Sequence, residues 1–207
     1  MTETGHKYET LPQNLTVKEI MTPWVKQAGY PIVMVKREGS SINITQQRFT
    51  LPRVNWNDTT TWYIPITFET NRTKSGIHWF SSTEKSMLIS NVIAPKEWFY
   101  LNRERIGYYR VNYDYESWII LAQNFNALPQ VIRAQLLDDS LTLARAEEVG
   151  YDIPMFLLTK LRGLHNEPLA WKAITTQIQY LSTMLNRDPA YEYFKVFKYN
   201  HCIKQMH

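Results

Sequence analysis

Residues 98–114 read W-F-Y-L-N-R-E-R-I-G-Y-Y-R-V-N-Y-D, and the character of the chain changes across them. Trp98 to Leu101 and Tyr108 to Tyr113 are short aromatic and β-branched runs, the residue types that fill a pleated, half-buried surface. After Asp114 the apolar residues recur at the 3.6-residue period of a helix and keep that period. The stretch therefore joins a β part to an α part.

Upstream of it, from Pro31 to about Tyr113, the period is two. Ile32 and Met34 alternate with Val33 and Val35, and Trp62, Ile64, Ile66 and Phe68 line one face of a strand. Pro65 breaks that strand, which suggests an edge. Ile77 to Phe80 and Met87 to Ile89 are further short runs, separated by loops such as Glu38-Gly-Ser-Ser and Asn71-Arg-Thr-Lys-Ser-Gly76. Several short strands without intervening helices read as a small antiparallel β-sandwich over 30–113. Residues 16–28 precede it as a helix, with Val17, Ile20, Met21 and Trp24 on one face and a Thr16/Glu19 capping box at its start. Pro23 deletes a hydrogen bond inside that helix and should kink it.

Downstream, over 114–207, Pro129 stands where a first turn begins, and Ile132, Leu136, Leu137, Leu141 and Leu143 give a wide apolar face. Asp152 is positioned to cap the next helix and Gly163 to stop it. Pro168 opens a third, carrying Trp171, Ile174, Ile178, Leu181 and Leu185, and Pro189 begins a fourth with Tyr193, Phe194 and Phe197. The expected fold class is a β-sandwich followed by an α-helical, solenoid-like array, an all-β domain plus an all-α domain.

Composition excludes several classes. Of 207 residues 44% are apolar and 20% charged, so the chain is globular. Seven glycines and ten prolines are too few for a collagenous or low-complexity chain. The net charge of +4 is spread singly, without the basic cluster that nucleic acid or an anionic membrane needs. The lone Cys202 forms no intramolecular disulfide, the first ten residues are polar, and no run is long and apolar enough to span a bilayer. Four Asn-x-Thr sequons, at Asn14, Asn43, Asn57 and Asn71, are the expected N-glycosylation sites and nevertheless point to a secreted parent. Asn43, Asn57 and Asn71 are expected in or beside exposed β-loops, and Asn14 against a helix cap.

The residues alone supply no active site. Five histidines, His6, His78, His165, His201 and His207, show no His-Glu-x-x-His spacing, so no zinc ligand set is expected. Asp138 and Asp139 are helix neighbours whose side chains point about 100° apart, which suits a solvated face better than a catalytic carboxylate pair. Glu147-Glu148 fails in the same way. Nucleophile-elbow and nucleotide-binding glycine motifs are missing from the sequence.

Two stretches carry a resemblance. Trp98 to Asp114, together with L-P-Q-V-I-R-A-Q-L-L-D-D-S-L-T-L-A-R from Leu128 to Arg145, closely resembles the junction between the small β-domain and the C-terminal helical domain of zinc aminopeptidases of the aminopeptidase N type. L-P-Q-N-L-T-V-K-E-I-M-T-P-W from Leu11, followed by Gly29-Tyr30-Pro31, resembles the end of that family's catalytic domain and its first β-domain strand. The match runs in order from about Leu11 to Phe197. It implies that 1–29 is the tail of the catalytic-domain helices, and that Arg110, Asp138 and Asp139 are buried hydrogen-bonding anchors at the junction.

The family's zinc ligands, its Gly-x-Met-Glu-Asn motif and its catalytic tyrosine lie upstream of what Leu11 matches. The resemblance thus implies an internal, non-catalytic piece: a β-spacer and part of the helical domain covering the active site. Catalytic, metal and substrate-binding residues are all expected to be none, and no cofactor is expected here, zinc and peptides belonging to the full-length family. The parent is expected outside the cell or at the plasma-membrane surface. No nucleic-acid or membrane contact is expected, and the exposed C-terminal helices are expected to self-associate. The alternative reading is a stand-alone protein-interaction module of β-sandwich plus helices.

Overall fold

In the computed structural model, which describes residues 1–51, 59–162, 164 and 167–200, two helices lead the chain: α1 (Thr2–Lys7) and α2 (Val17–Lys26). The capping box starts α2 as expected. The Thr16 hydroxyl accepts from Glu19 N at 3.2 Å, and the Glu19 carboxylate accepts from Thr16 N at 2.8 Å. The helix runs on through Pro23, and Gln27 N donates to Pro23 O at 3.0 Å to close the last turn.

The first of two compact units, Met1–Ser117, then builds eight strands: β1 (Pro31–Glu38), β2 (Ser41–Arg48), β3 (Ile64–Ile66), β4 (Phe68–Thr70), β5 (His78–Phe80), β6 (Met87–Ile89), β7 (Phe99–Leu101) and β8 (Arg110–Tyr113). They form a four-stranded sheet in the order β6-β2-β1-β8 and two separate pairs, β3 with β5 and β4 with β7. β1 and β2 pair antiparallel along their full lengths, Pro31 opposite Arg48 through Glu38 opposite Ser41. β8 joins the other side of β1 in parallel, Ile32 opposite Arg110. That corrects the all-antiparallel expectation: more than sixty residues of chain separate the two strands, enough for a crossover to deliver either direction.

The run Trp62, Ile64, Ile66 and Phe68 is buried on one face, as its alternation requires. Its break, however, falls at Thr67 and not at Pro65, so the two halves serve different sheets. Pro65 lies inside β3, opposite Trp79 of β5. A two-stranded pair tolerates it, because half of each strand's amides need no partner.

The connection from β7 to β8 is tightly bent. Asn102, Glu104 and Arg105 all have positive φ, near 60°. The buried Asn102 side chain holds the bend together, donating to Gly107 O at 2.9 Å and accepting from Gly107 N at 2.8 Å. A Cβ on Gly107 would lie 2.2 Å from the Tyr109 ring, so only glycine fits beneath that ring.

The helices that follow are α3 (Tyr115–Gln123), α4 (Gln130–Arg145), α5 (Asp152–Thr159), α6 (Pro168–Met184) and α7 (Tyr191–Lys198). The second compact unit is Trp118–His207. Within it α4 packs on α5 and α6, and α6 on α7. The apolar face foreseen on α4 extends further round: Gln135, Asp139, Ser140 and Thr142 are buried together with Ile132, Leu136, Leu137 and Leu143. Tyr151 takes the cap position of α5 and Asp152 is its first helical residue. Pro168 opens α6 as expected, whereas α7 starts at Tyr191, after a turn in which Asp188 Oδ1 accepts from Ala190 N at 2.7 Å. The architecture is mixed β plus helical. Gly163 lies outside the described residues.

Candidate functional site

A polar arrangement in the first unit centres on Glu97, which precedes β7 and is 6% exposed. Arg72, in the turn after β4, grips its carboxylate with both ends of the guanidinium, Nε to Oε1 at 2.9 Å and Nη2 to Oε2 at 2.6 Å. Ala94 N donates to Oε2 at 2.7 Å. The Arg72 bond, with the Ala94 amide, holds the Glu97 carboxyl below the usual carboxylate range against the opposing effect of burial. From β1, Arg37 reaches the same turn, donating to Ala94 O at 3.1 Å and Glu97 O at 2.5 Å, with its guanidinium 5.2 Å from the Phe99 ring centre.

Asp114 completes the arrangement from the end of β8. One carboxylate oxygen accepts from Arg37 N at 2.6 Å and the other from Ser117 N at 2.8 Å, so the same side chain clamps β1 and caps α3. Tyr100, buried in β7, keeps its proton far into alkali: burial raises the phenol, and its hydrogen bond to the Glu69 carboxylate adds to that. These groups bind each other and the backbone.

In the second unit, Arg133 of α4 pairs with the buried Glu167, which precedes α6. Arg133 also donates to Leu128 O at 2.5 Å. Glu167 Oε2 and Arg133 Nε stay buried without a hydrogen-bond partner among the described residues. Beside this core, a groove of about 580 Å³ runs between α6 and α7, lined by Trp171, Ile174, Ile178, Tyr191 and Lys198 among others. Its volume is in the range of binding pockets, but Lys198, the cation among its described lining residues, is already bonded to Ser182 Oγ at 3.2 Å.

The residues singled out from the sequence are scattered. Arg110 is half-buried on β8, its Nε donating to Tyr30 Oη at 3.2 Å and its guanidinium 5.7 Å from the Phe49 ring centre. Asp139 is 3% exposed, against the expectation of a solvated face, because α4 is covered on nearly every side; Asp138 beside it is half-buried. Neither is without a partner.

Asn14 is exposed just before the α2 cap, and Asn71 is exposed in the turn after β4. Asn43 lies within β2, the third residue after the β1–β2 turn, flanked by β1 and β6. Asn57 lies outside the described residues.

His6 bonds Leu15 O at 2.7 Å and His78 stacks on Phe68 with ring centres 5.7 Å apart. His165, His201, His207 and Cys202 fall outside the described residues. Among those described, no group of three or more His, Cys, Asp or Glu could hold a metal ion, so the described residues do not fit zinc. None of their helices is long and apolar enough to cross a membrane.

Sequence reasoning missed Glu97, Asp114, Arg133 and Glu167. The one local signal was a carboxylate at the edge of an apolar run, as in Glu97 before Trp98-Phe-Tyr-Leu.

The comparisons agree with one another. A family model described as the ERAP1-like C-terminal domain matches residues 98–206. The glutamyl aminopeptidase of Homo sapiens is 34% identical over 187 residues, 84% of this chain and 19% of that protein. That of Sus scrofa is 32% identical over 200 residues, 90% of this chain and 21% of that protein. The aminopeptidase N of Plutella xylostella is 30% identical over 195 residues, 86% of this chain and 20% of that protein. The chain thus spans about a fifth of the length of the curated relatives it matches. With a family model over more than half of its length and aminopeptidases aligned along most of it, the chain belongs to the aminopeptidase family of the aminopeptidase N type.

Proposed function

We propose that these residues form a non-catalytic part of a zinc-dependent aminopeptidase that removes N-terminal residues from peptides. In this reading the β unit is a spacer, its sheets stacked as a sandwich. The helices are the first layers of a solenoid-like domain that covers the catalytic cleft. The observation that carries it is the alignment of most of the chain with aminopeptidases, at about a fifth of their length. The use of the charges supports it: in the first unit Glu97, Asp114 and Arg37 are bonded to one another's segments and to backbone groups, and in the second Arg133 is bonded to a backbone carbonyl, which is how a shape is held.

The test is a segment exchange. Residues 11–197 replace the corresponding segment of human glutamyl aminopeptidase, and cleavage of a glutamyl arylamide is measured. A folded chimera that retains activity supports the reading; a folded, zinc-loaded but inactive chimera opposes it. Chelator-sensitive cleavage of an alanyl, leucyl or glutamyl arylamide by the chain alone overturns it.

Two further parts belong to the same proposal. The parent works in the secretory pathway or at the cell surface, supported by the four sequons. The helical unit self-associates through Met184, Tyr193, Val196 and Tyr199, supported by their exposures of 62%, 81%, 62% and 58%. Sedimentation of the purified chain as a concentration-independent monomer would refute self-association.

A further inference from the structure

We propose that Asn71 is an N-glycosylation site and that Asn14 and Asn43 stay unmodified. The inference rests on the secretory reading, and its test imposes that compartment so that the two can fail separately.

Three sequons fall on described residues, all of the Asn-x-Thr type, and they differ in what their amide and hydroxyl are doing. Asn71 sits at the tip of a reverse turn that starts at Thr70. Thr70 N donates to Thr73 O at 2.8 Å, the bridge Glu69 to Lys74 closes beneath it, and Thr70 Oγ1 accepts from both Arg72 N and Thr73 N at 3.1 Å. The turn is thus held by Thr70 and by Arg72 gripping Glu97, without the Asn71 carboxamide. Residues 71 to 74 are all exposed, and the Thr73 hydroxyl meets the Thr70 hydroxyl of its own turn at 3.3 Å. A glycan here points into solvent and displaces no bond of the fold.

Asn43 is the opposite case. It lies in the interior of β2, opposite Lys36 of β1 and Leu88 of β6, half-buried, and its Nδ2 donates to Glu38 Oε1 at 3.0 Å. Its Oδ1 is buried without a partner among the described residues. A sugar on Nδ2 would have to stand on a paired sheet face and crowd the Glu38 bond. Asn14 is exposed, but the hydroxyl of its sequon Thr16 donates to Glu19 Oε2 at 2.7 Å and caps α2. Engaging that hydroxyl in an acceptor site uncaps the helix.

The chemistry is a group transfer from a lipid-pyrophosphate-linked oligosaccharide. Asn71 Nδ2 attacks C1 of the reducing-end sugar and the N–C1 bond forms. The C1–O bond to pyrophosphate breaks, the lipid pyrophosphate leaves with the electron pair, and Nδ2 loses one proton to base.

The full chain is expressed behind a cleavable signal peptide in glycosylation-competent cells. The secreted protein is treated with peptide N-glycosidase in heavy-oxygen water, which leaves a labelled aspartate at each occupied asparagine. Peptide mapping is expected to find the label at Asn71 and not at Asn14 or Asn43. Asn71→Gln and Thr73→Ala should each remove one glycan step on a gel without shifting the melting curve. A secreted protein unlabelled at Asn71, or labelled at Asn14 or Asn43, overturns the proposal while leaving the compartment reading untouched.

Discussion

Replacing Asp114 with alanine should destabilise the β unit more than any other single exchange at a half-buried polar position. Its two carboxylate oxygens each accept a backbone amide, from Arg37 at 2.6 Å and Ser117 at 2.8 Å, and its own amide donates to Val35 O at 2.9 Å. Losing the cap of α3 costs about 1 kcal/mol. Losing a charge-assisted bond, which leaves the Arg37 amide in a part-buried place without an acceptor, costs roughly 2 kcal/mol. Asp114→Ala should therefore cost about 3 kcal/mol, the two contributions acting on separate segments. Asp114→Asn keeps one acceptor and turns an NH₂ group toward the other donor, so about half of that loss should remain. Urea unfolding followed by tryptophan fluorescence gives the difference, provided the slope stays that of the parent protein. Amide exchange at Arg37 and Ser117 should accelerate together. A change in stability below about 0.5 kcal/mol, the ordinary range for surface substitutions, with both amides still protected, would refute the clamp.

Glu97, whose carboxyl lies below its usual range chiefly through the Arg72 hydrogen bond, contributes stability that is complete above the unfolded-state value of about 4.3 and is lost as pH falls through the folded one. Glu97→Gln should flatten the acid side of the stability curve, and an unchanged acid slope would count against the pairing. Tyr100, raised by burial and by Glu69, has the opposite sign: its contribution is complete below about pH 10 and falls away above it, so Tyr100→Phe should remove part of the alkaline loss measured by thermal melting. Glu167→Ala strands Arg133, 11% exposed, in the core, and should cost about 3 kcal/mol. The double exchange Arg133→Met with Glu167→Leu should recover most of that, and a double variant no more stable than the single one would show that the pair is worth more than its desolvation.

The β-to-α switch was legible because it is local. Alternation through Trp62, Ile64, Ile66 and Phe68 and the 3.6 period after Asp114 each reflect which side of one element is buried. Thr16 and Glu19 could be read as a capping box because three residues separate them. β2 could not be read: its outward residues Ser41, Asn43, Thr45 and Gln47 are polar, and only Ile42 and Ile44 mark the inner face, so the segment looks like loop. The parallel entry of β8 beside β1 was hidden for a different reason, since periodicity reports which face is buried and says nothing of the neighbouring strand.

The charged anchors were illegible because their partners are far away along the chain. Asp114 answers Arg37 across 77 positions, Glu167 answers Arg133 across 34, and Glu97 answers Arg72 across 25. What those charges do there follows from the loops they touch. A buried irregular segment has amides and carbonyls that no ladder satisfies, and each is costly until a donor or acceptor reaches it. Arg37 reaches the carbonyls of Ala94 and Glu97, Asp114 the amides of Arg37 and Ser117, and Arg133 the carbonyls of Leu128 and Asn126. Each ion is thus spent on backbone at a corner where a strand or helix begins or ends. The bonds these charges make run to the turns, and Arg37 Nε, Arg133 Nε and Glu167 Oε2 are left buried without a hydrogen-bond partner among the described residues. The resemblance in the Trp98–Asp114 stretch follows the same logic: Asn102 and Gly107 shape one bend, Asp114 fixes the next, and a sequence that must make both bends has little freedom between them.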